Sequence, residues 1–103
     1  MKPFERFKKL NTEGNLWVYI MSTAKEKEIC EDGIQRLIFE KFGFLPGSFL
    51  TRRVLYRLKR EGYLSSERYK GKPAVLATEK GKEELEKMKN FSQKLIEELL
   101  EKI

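Results

Sequence analysis

The sequence predicts a mainly α-helical fold that carries one small β-hairpin and ends in a long helix, on three observations. Leu50, Val54 and Leu58 recur four residues apart with Leu55 beside them, the period of one buried helical face. Lys70-Gly71-Lys72-Pro73 separates two short runs, residues 63–69 and 74–78, and reads as the turn between antiparallel strands. From Thr78 the chain keeps an apolar stripe at helical spacing to its last residue.

The 103 residues are one domain's worth, and 37% charged with 40% hydrophobic residues is a soluble, globular composition. No run of 18 apolar residues occurs, and Met1 to Leu10 alternates charge with Phe4, Phe7 and Leu10 instead of opening a signal peptide, so no membrane contact and a cytoplasmic, nucleoid-associated location are expected. A single cysteine and no histidine exclude an internal disulfide and the common zinc sites. Cys30 reads as a small core residue, against a redox-sensing or intermolecular role. Without histidine, a glycine-rich phosphate loop or carboxylates paired in an apolar setting, no catalytic residue, metal or cofactor is expected, and the chain reads as a non-enzyme.

Residues 1–11 form an N-terminal segment in which Phe4, Phe7 and Leu10 suit a short helix, packed on the C-terminal helix of its own or a partner chain, or else a frayed surface segment. Asn11 or Thr12 can cap the next helix, which runs to about Lys25 with Trp17, Ile20, Met21 and Ala24 on one face. Lys25 to Cys30 offers a short strand beside the hairpin. Asp32 can cap a second helix with Ile34, Leu37, Ile38 and Phe42 inward, and Gly43 ends it. Phe44 to Gly47 is a link too short for another element. Ser48 can cap a third helix, residues 48–61, whose end Gly62 marks. Helix, helix, turn, helix and hairpin is the order of a winged helix-turn-helix, here residues 12–78 with the wing at 63–78. Residues 79–103 form the last helix, about 25 residues and about 37 Å long. Leu85, Met88, Phe91, Leu95, Ile96, Leu99, Leu100 and Ile103 give it a stripe half its circumference wide, read as a dimerisation surface or, alternatively, as cover for the chain's own core.

Charge is unevenly placed. Residues 48–73 hold eight Lys or Arg against Glu61 and Glu67, a net of +6, so the remaining 14 basic and 14 acidic residues cancel. On the third helix Phe49, Arg52, Arg53, Tyr56, Lys59 and Arg60 face away from the apolar side, with Arg57 at the edge. A local cationic surface of this kind points to double-stranded DNA as partner.

RRVLYRLKREGYL, a short wing and then LATEKGKEELEK, with Thr78, Glu79, Lys80 and Gly81 opening the last helix, resemble the PadR-like family of winged-helix transcription regulators. The resemblance covers residues 14–100, and much of it is shared with MarR-like and ArsR-like regulators. Two departures stand out: Leu55-Tyr56-Arg57 replaces a tyrosine-proline step, and Asp32-Gly33-Ile34 replaces a glycine-tyrosine pair. The resemblance implies a small-molecule effector site near Trp17, which otherwise reads as a core anchor.

The expectation is a homodimer that regulates transcription, as a repressor, from a pseudo-palindromic operator. Arg52, Arg53 and Tyr56 lie early on the exposed face and suit base edges; Arg57, Lys59 and Arg60 suit phosphates, Arg68, Lys70 and Lys72 serve the wing, and Ser48 is counted with the DNA-binding residues. Among these cations, Lys59 reads most readily as a solvated charge instead. Non-specific, chromatin-like DNA binding and a protein-docking module are the other readings.

Overall fold

The computed structural model describes residues 1–101, in which the elements follow as α1 (Pro3–Leu10), α2 (Leu16–Thr23), β1 (Ile29–Cys30), α3 (Ile34–Phe42), α4 (Ser48–Arg60), β2 (Leu64–Tyr69), β3 (Lys72–Ala77) and α5 (Glu79–Ile96). Glu97–Glu101 continues α5 in wider, π-helical turns. Lys102 and Ile103, the end of the expected apolar stripe, lie outside the described residues.

Apolar burial dictates the arrangement. Leu16, Ile20, Met21 and Ala24 of α2 meet Ile34 and Ile38 of α3, Leu55 and Leu58 of α4, and Leu64, Val75 and Ala77 of the hairpin in one core. Two core expectations are corrected. Phe42 sits on the last turn of α3 and is 43% exposed, its ring edge-on to Tyr19 at 5.0 Å. Cys30 is only half-buried, because the short strand carrying it runs along the rim of the sheet.

The strand order is β1-β3-β2, both pairs antiparallel, with Ile29 opposite Val75 and Leu64 opposite Ala77. The predicted short strand is therefore present, over two residues. The hairpin turn is tighter than its composition suggests: Lys70 and Gly71 alone make it, both at positive φ (52° and 79°), the pattern of a type I′ turn. Pro73 lies inside β3 opposite Arg68, in the pair next to the hydrogen-bonded pair that closes the turn. There its missing N–H removes no β2–β3 bond, and β1 ends before reaching it.

Helix starts depart most from the sequence reading. Asn11, Thr12, Asp32 and Ser48 make no N-capping hydrogen bond. Short 3₁₀ turns, Glu13–Asn15 and Glu31–Gly33, lead into α2 and α3 instead, and Gly47 is the cap residue of α4, so that Ser48 is already helical. The second helix also stops at Thr23, short of Lys25. Helix ends follow the sequence: Gly43 is left-handed (φ 82°), and Gly62 (φ 85°) closes α4. There the N–H groups of Gly62 and Tyr63 donate to the carbonyls of Lys59 (3.2 Å) and Leu58 (2.9 Å), which is the Schellman arrangement.

α5 starts where the hairpin ends, capped by Thr78, whose hydroxyl accepts from the Gly81 N–H (3.1 Å) and donates to the Gly62 carbonyl (2.7 Å). Gly81 is the buried residue of α5, and a Cβ there would lie 2.3 Å from the Tyr63 carbonyl oxygen and 3.0 Å from Met21 Sδ. Leu85 and Met88 are half-buried, whereas Phe91, Leu95, Ile96, Leu99 and Leu100 are exposed. α1 buries none of its side chains and leaves Phe4, Phe7 and Leu10 bare.

Gly81→Ala therefore sets two effects against each other. Alanine favours a helix interior by about 1 kcal/mol over glycine, but the added methyl must displace a backbone oxygen, an overpacking cost of about 1–3 kcal/mol. The contact should win: urea unfolding is expected to show a lower midpoint at unchanged slope, and a midpoint at or above that of the parent would refute the close approach.

Candidate nucleic-acid interface

The outer face of α4 is built from the inside out. Thr51, Leu55 and Leu58 are buried, and Leu50 and Val54 half-buried, so the positions between them must point to solvent. Arg52, Arg53, Arg57 and Arg60 are exposed, as is Tyr56 at 62%. Ser48 is exposed at the first turn, available to a ligand because it caps nothing. The helix is held firmly at both ends, by the Schellman closure behind and by the preceding turn in front. In that turn Phe44 packs on Tyr19 at 4.9 Å, Pro46 is buried, and Gln35 Nε2 donates to the Pro46 carbonyl (2.8 Å). Thr51 Oγ1 donates to the Gly47 carbonyl (2.7 Å), so its buried hydroxyl is satisfied.

The wing adds a second cationic edge. Arg68, Tyr69, Lys70 and Lys72 are exposed around the turn, and Lys70 Nζ sits 5.2 Å from the Tyr69 ring centroid. Between α4 and the wing lies an open groove lined by Glu31, Lys59, Ser66, Glu67, Arg68 and Pro73. Lys59 is occupied within it, its ammonium 3.1 Å from Glu31 with both side chains 27% exposed. Lys72 approaches Asp32 at 3.8 Å, with the two side chains 66% and 71% exposed. Among the described residues that leaves Arg52, Arg53, Arg57, Arg60, Arg68 and Lys70 as the cations of this surface outside any ion pair.

Behind α4 a second groove, of about 360 Å³, runs between α2, α4 and α5. Trp17, Leu50, Val54 and Leu58 line its apolar part; Glu13, Arg53, Arg57, Glu61 and Glu84 stand among its polar lining. Trp17 is thus half in the core and half on a groove wall.

The structure brings the expected DNA-binding residues together on two adjoining elements, helix and wing. The expected dimerisation residues divide: Leu85 packs on the core, Met88 is half-buried, and Phe91, Leu95, Ile96 and Leu99 are exposed. Sequence reasoning passed over Phe49, which is 72% exposed and has the Arg53 guanidinium 5.9 Å from its ring centroid. Helical periodicity had placed it on the outer face; only its lack of charge kept it off the contact surface. Among the described residues no group of three or more potential metal ligands comes together, and no helix is long and apolar enough to cross a membrane.

No protein-family model matches the sequence, and no curated protein matches it significantly. The fold, however, is similar to solved structures. A PadR-like transcription factor from bacteroid fragilis superposes with a TM-score of 0.75 at 19% identity, over 95% of this chain and 99% of that one. F93 from STIV, a winged-helix DNA-binding protein, gives a TM-score of 0.66 at 18% identity, over 85% of this chain and 92% of that one. At such identities the likeness establishes the fold, a winged helix followed by a long C-terminal helix.

The two ion pairs of the surface should differ in energy. A double-mutant cycle on Lys59 and Glu31 is expected to give a coupling of about 0.5–1 kcal/mol in unfolding experiments, and the same cycle on Lys72 and Asp32 a value near zero, since exposed pairs gain little. Equal couplings would contradict the difference in burial.

Proposed function

We propose that the protein is a DNA-binding transcriptional regulator that works as a homodimeric repressor on a pseudo-palindromic operator in the cytoplasmic, nucleoid-bound pool. The observation that carries the reading is the confinement of the whole +6 excess to residues 48–73, displayed on the outer face of α4 and the wing. Phosphate neutralisation with counterion release is what such a surface does best. α4 enters a major groove by its N-terminal half, where Ser48, Arg52, Arg53 and Tyr56 reach base edges, arginine reading guanine by two parallel hydrogen bonds. Arg57 and Arg60 hold the flanking phosphates, and Arg68, Lys70 and Lys72 carry the wing to the neighbouring backbone.

The dimer is the second half of the reading. A solvated α5 leaves Phe91, Leu95, Ile96 and Leu99 in water, each forfeiting up to about 1.5–3 kcal/mol of burial. A second copy of the helix, joined by Phe4, Phe7 and Leu10 of α1, covers this surface and places two α4 helices on successive major grooves about 34 Å apart. The apolar groove at Trp17 suits a planar effector, whose binding beside Leu50 and Val54 would act on α4 from behind.

Fluorescence anisotropy tests the reading, with the DNA upstream of the protein's own gene against a scrambled duplex of equal length across a salt series. A preference of about a thousandfold or more and a logarithmic salt slope of about −9, set by the five phosphate-directed cations of each protomer, about ten in the dimer, are expected. Equal binding to both duplexes would favour a chromatin-like protein, and no binding at low salt would favour a docking module. In the pair Phe91→Asp with Leu95→Asp, sedimentation equilibrium should report a monomer, and DNA affinity should fall by on the order of a hundredfold through lost avidity.

A further inference from the structure

An uncharged ring stands in the middle of the cationic face. Phe49 occupies the second position of α4, one and two helical turns before Arg53 and Tyr56, and is 72% exposed. Exposure of a phenyl ring costs free energy that burial would recover, yet the described residues cover little of it. A surface meant only for phosphates gains nothing from a side chain without donors. In the major groove, by contrast, the base edges present one apolar group, the C5-methyl of thymine. The second feature is the Arg53 guanidinium, 5.9 Å from the ring centroid and so within cation–π range. A guanidinium held against a ring keeps its edge N–H groups free for bidentate donation while its long side chain is already restrained.

We propose that Phe49 and Arg53 form one composite reader, in which the ring packs on a thymine methyl while Arg53 donates to O6 and N7 of an adjacent guanine. The inference rests on the DNA-binding reading above and deepens it, because it assigns a base step, thymine next to guanine, to each half-site. Phe49 is the specificity-determining residue of the pair for the pyrimidine; Arg53 supplies the purine contact. Ser48 and Arg52 lie on the adjoining rows of the helix and read neighbouring positions.

The experiment removes the methyl without touching a hydrogen bond. A duplex selected by the full-length protein from a random library is resynthesised with single thymine-to-uracil replacements and titrated by anisotropy. One replacement per half-site, beside a guanine, is expected to weaken binding about fourfold, the worth of one buried methyl group. Phe49→Ala should bind the thymine and uracil duplexes equally, and Phe49→Leu should retain part of the difference. Because Phe49 is exposed, both variants should keep the parent's circular dichroism and unfolding midpoint, which separates a reading defect from a folding one. The proposal is overturned if no single replacement matters to the parent, or if Phe49→Ala keeps the same thymine-to-uracil ratio, as it would were the ring part of a protein-docking patch. Failure to enrich any duplex would overturn the DNA-binding reading itself, an outcome distinct from both.

Discussion

One backbone contact governs the geometry of this protein: the Tyr63 carbonyl, lodged against the first turn of α5 where only a glycine leaves room. That oxygen accepts the Thr78 N–H at 3.1 Å and faces Gly81 at a separation no Cβ could share. Around it the ends of three elements meet. Gly62 and Tyr63 finish α4, Leu64 begins the wing, and Thr78 returns from the wing to start α5 with its hydroxyl bonded to both Gly62 and Gly81. Lys80 closes the assembly, donating to the Glu61 carbonyl at 2.7 Å with its ammonium 4.5 Å from the Tyr63 ring centroid. The glutamate-glycine-tyrosine and threonine-glutamate-lysine-glycine runs, distant in sequence, are the two halves of this joint. α4, the wing and α5 consequently hold one another at fixed angles, and motion of one without the others would strand polar backbone groups.

Much of this was legible in the sequence, for physical reasons that differ from element to element. The burial of α4 is written in a four-residue apolar recurrence, and its end in a glycine that only a left-handed residue can replace. Glycine likewise ended α3. The starts were less readable, because serine, threonine, asparagine and aspartate signal a cap only when no other group satisfies the first N–H donors. At α2 and α3 a 3₁₀ turn feeds directly into the helix, and at α4 the preceding glycine takes the cap position, so the polar side chains nearby were free to point elsewhere. The turn of the wing was masked in a similar way. Lysine at φ 52° carries half of it, and nothing about the residue type announces that conformation, whereas the proline that seemed to belong to the turn sits harmlessly in the strand. In the interface, charge counting found every cation and set Lys59 apart only as a solvated charge; the folded chain instead ties it, half-buried, to Glu31. The same counting overlooked Phe49, since an exposed ring among arginines has meaning only once the helix face is known to be open.

Two surfaces of the molecule remain unmatched by its own chain, and they differ in kind. The outer face of α4 and the wing is cationic, with Phe49, Tyr56 and Tyr69 among its charges; Phe91, Leu95, Ile96 and Leu99 of α5 and Phe4, Phe7 and Leu10 of α1 are apolar and exposed. The joint at Tyr63 connects them, so that the angle at which α5 leaves the core also sets the angle at which α4 faces outward. A groove wall shared by Trp17, Leu50 and Glu84 spans α2, α4 and α5.

The confinement of net charge to one quarter of the sequence has a kinetic side as well. Because the remaining residues sum to zero, the molecule carries a strong electric dipole along an axis through α4 and the wing, in addition to its overall charge. In the field of a polyanion such a body experiences a torque before it experiences a contact, and tumbles less freely as it approaches. It arrives with the helix and wing leading, and fewer of its collisions are wasted on the wrong face. A protein of the same total charge spread evenly over its surface would be attracted just as strongly and turned not at all.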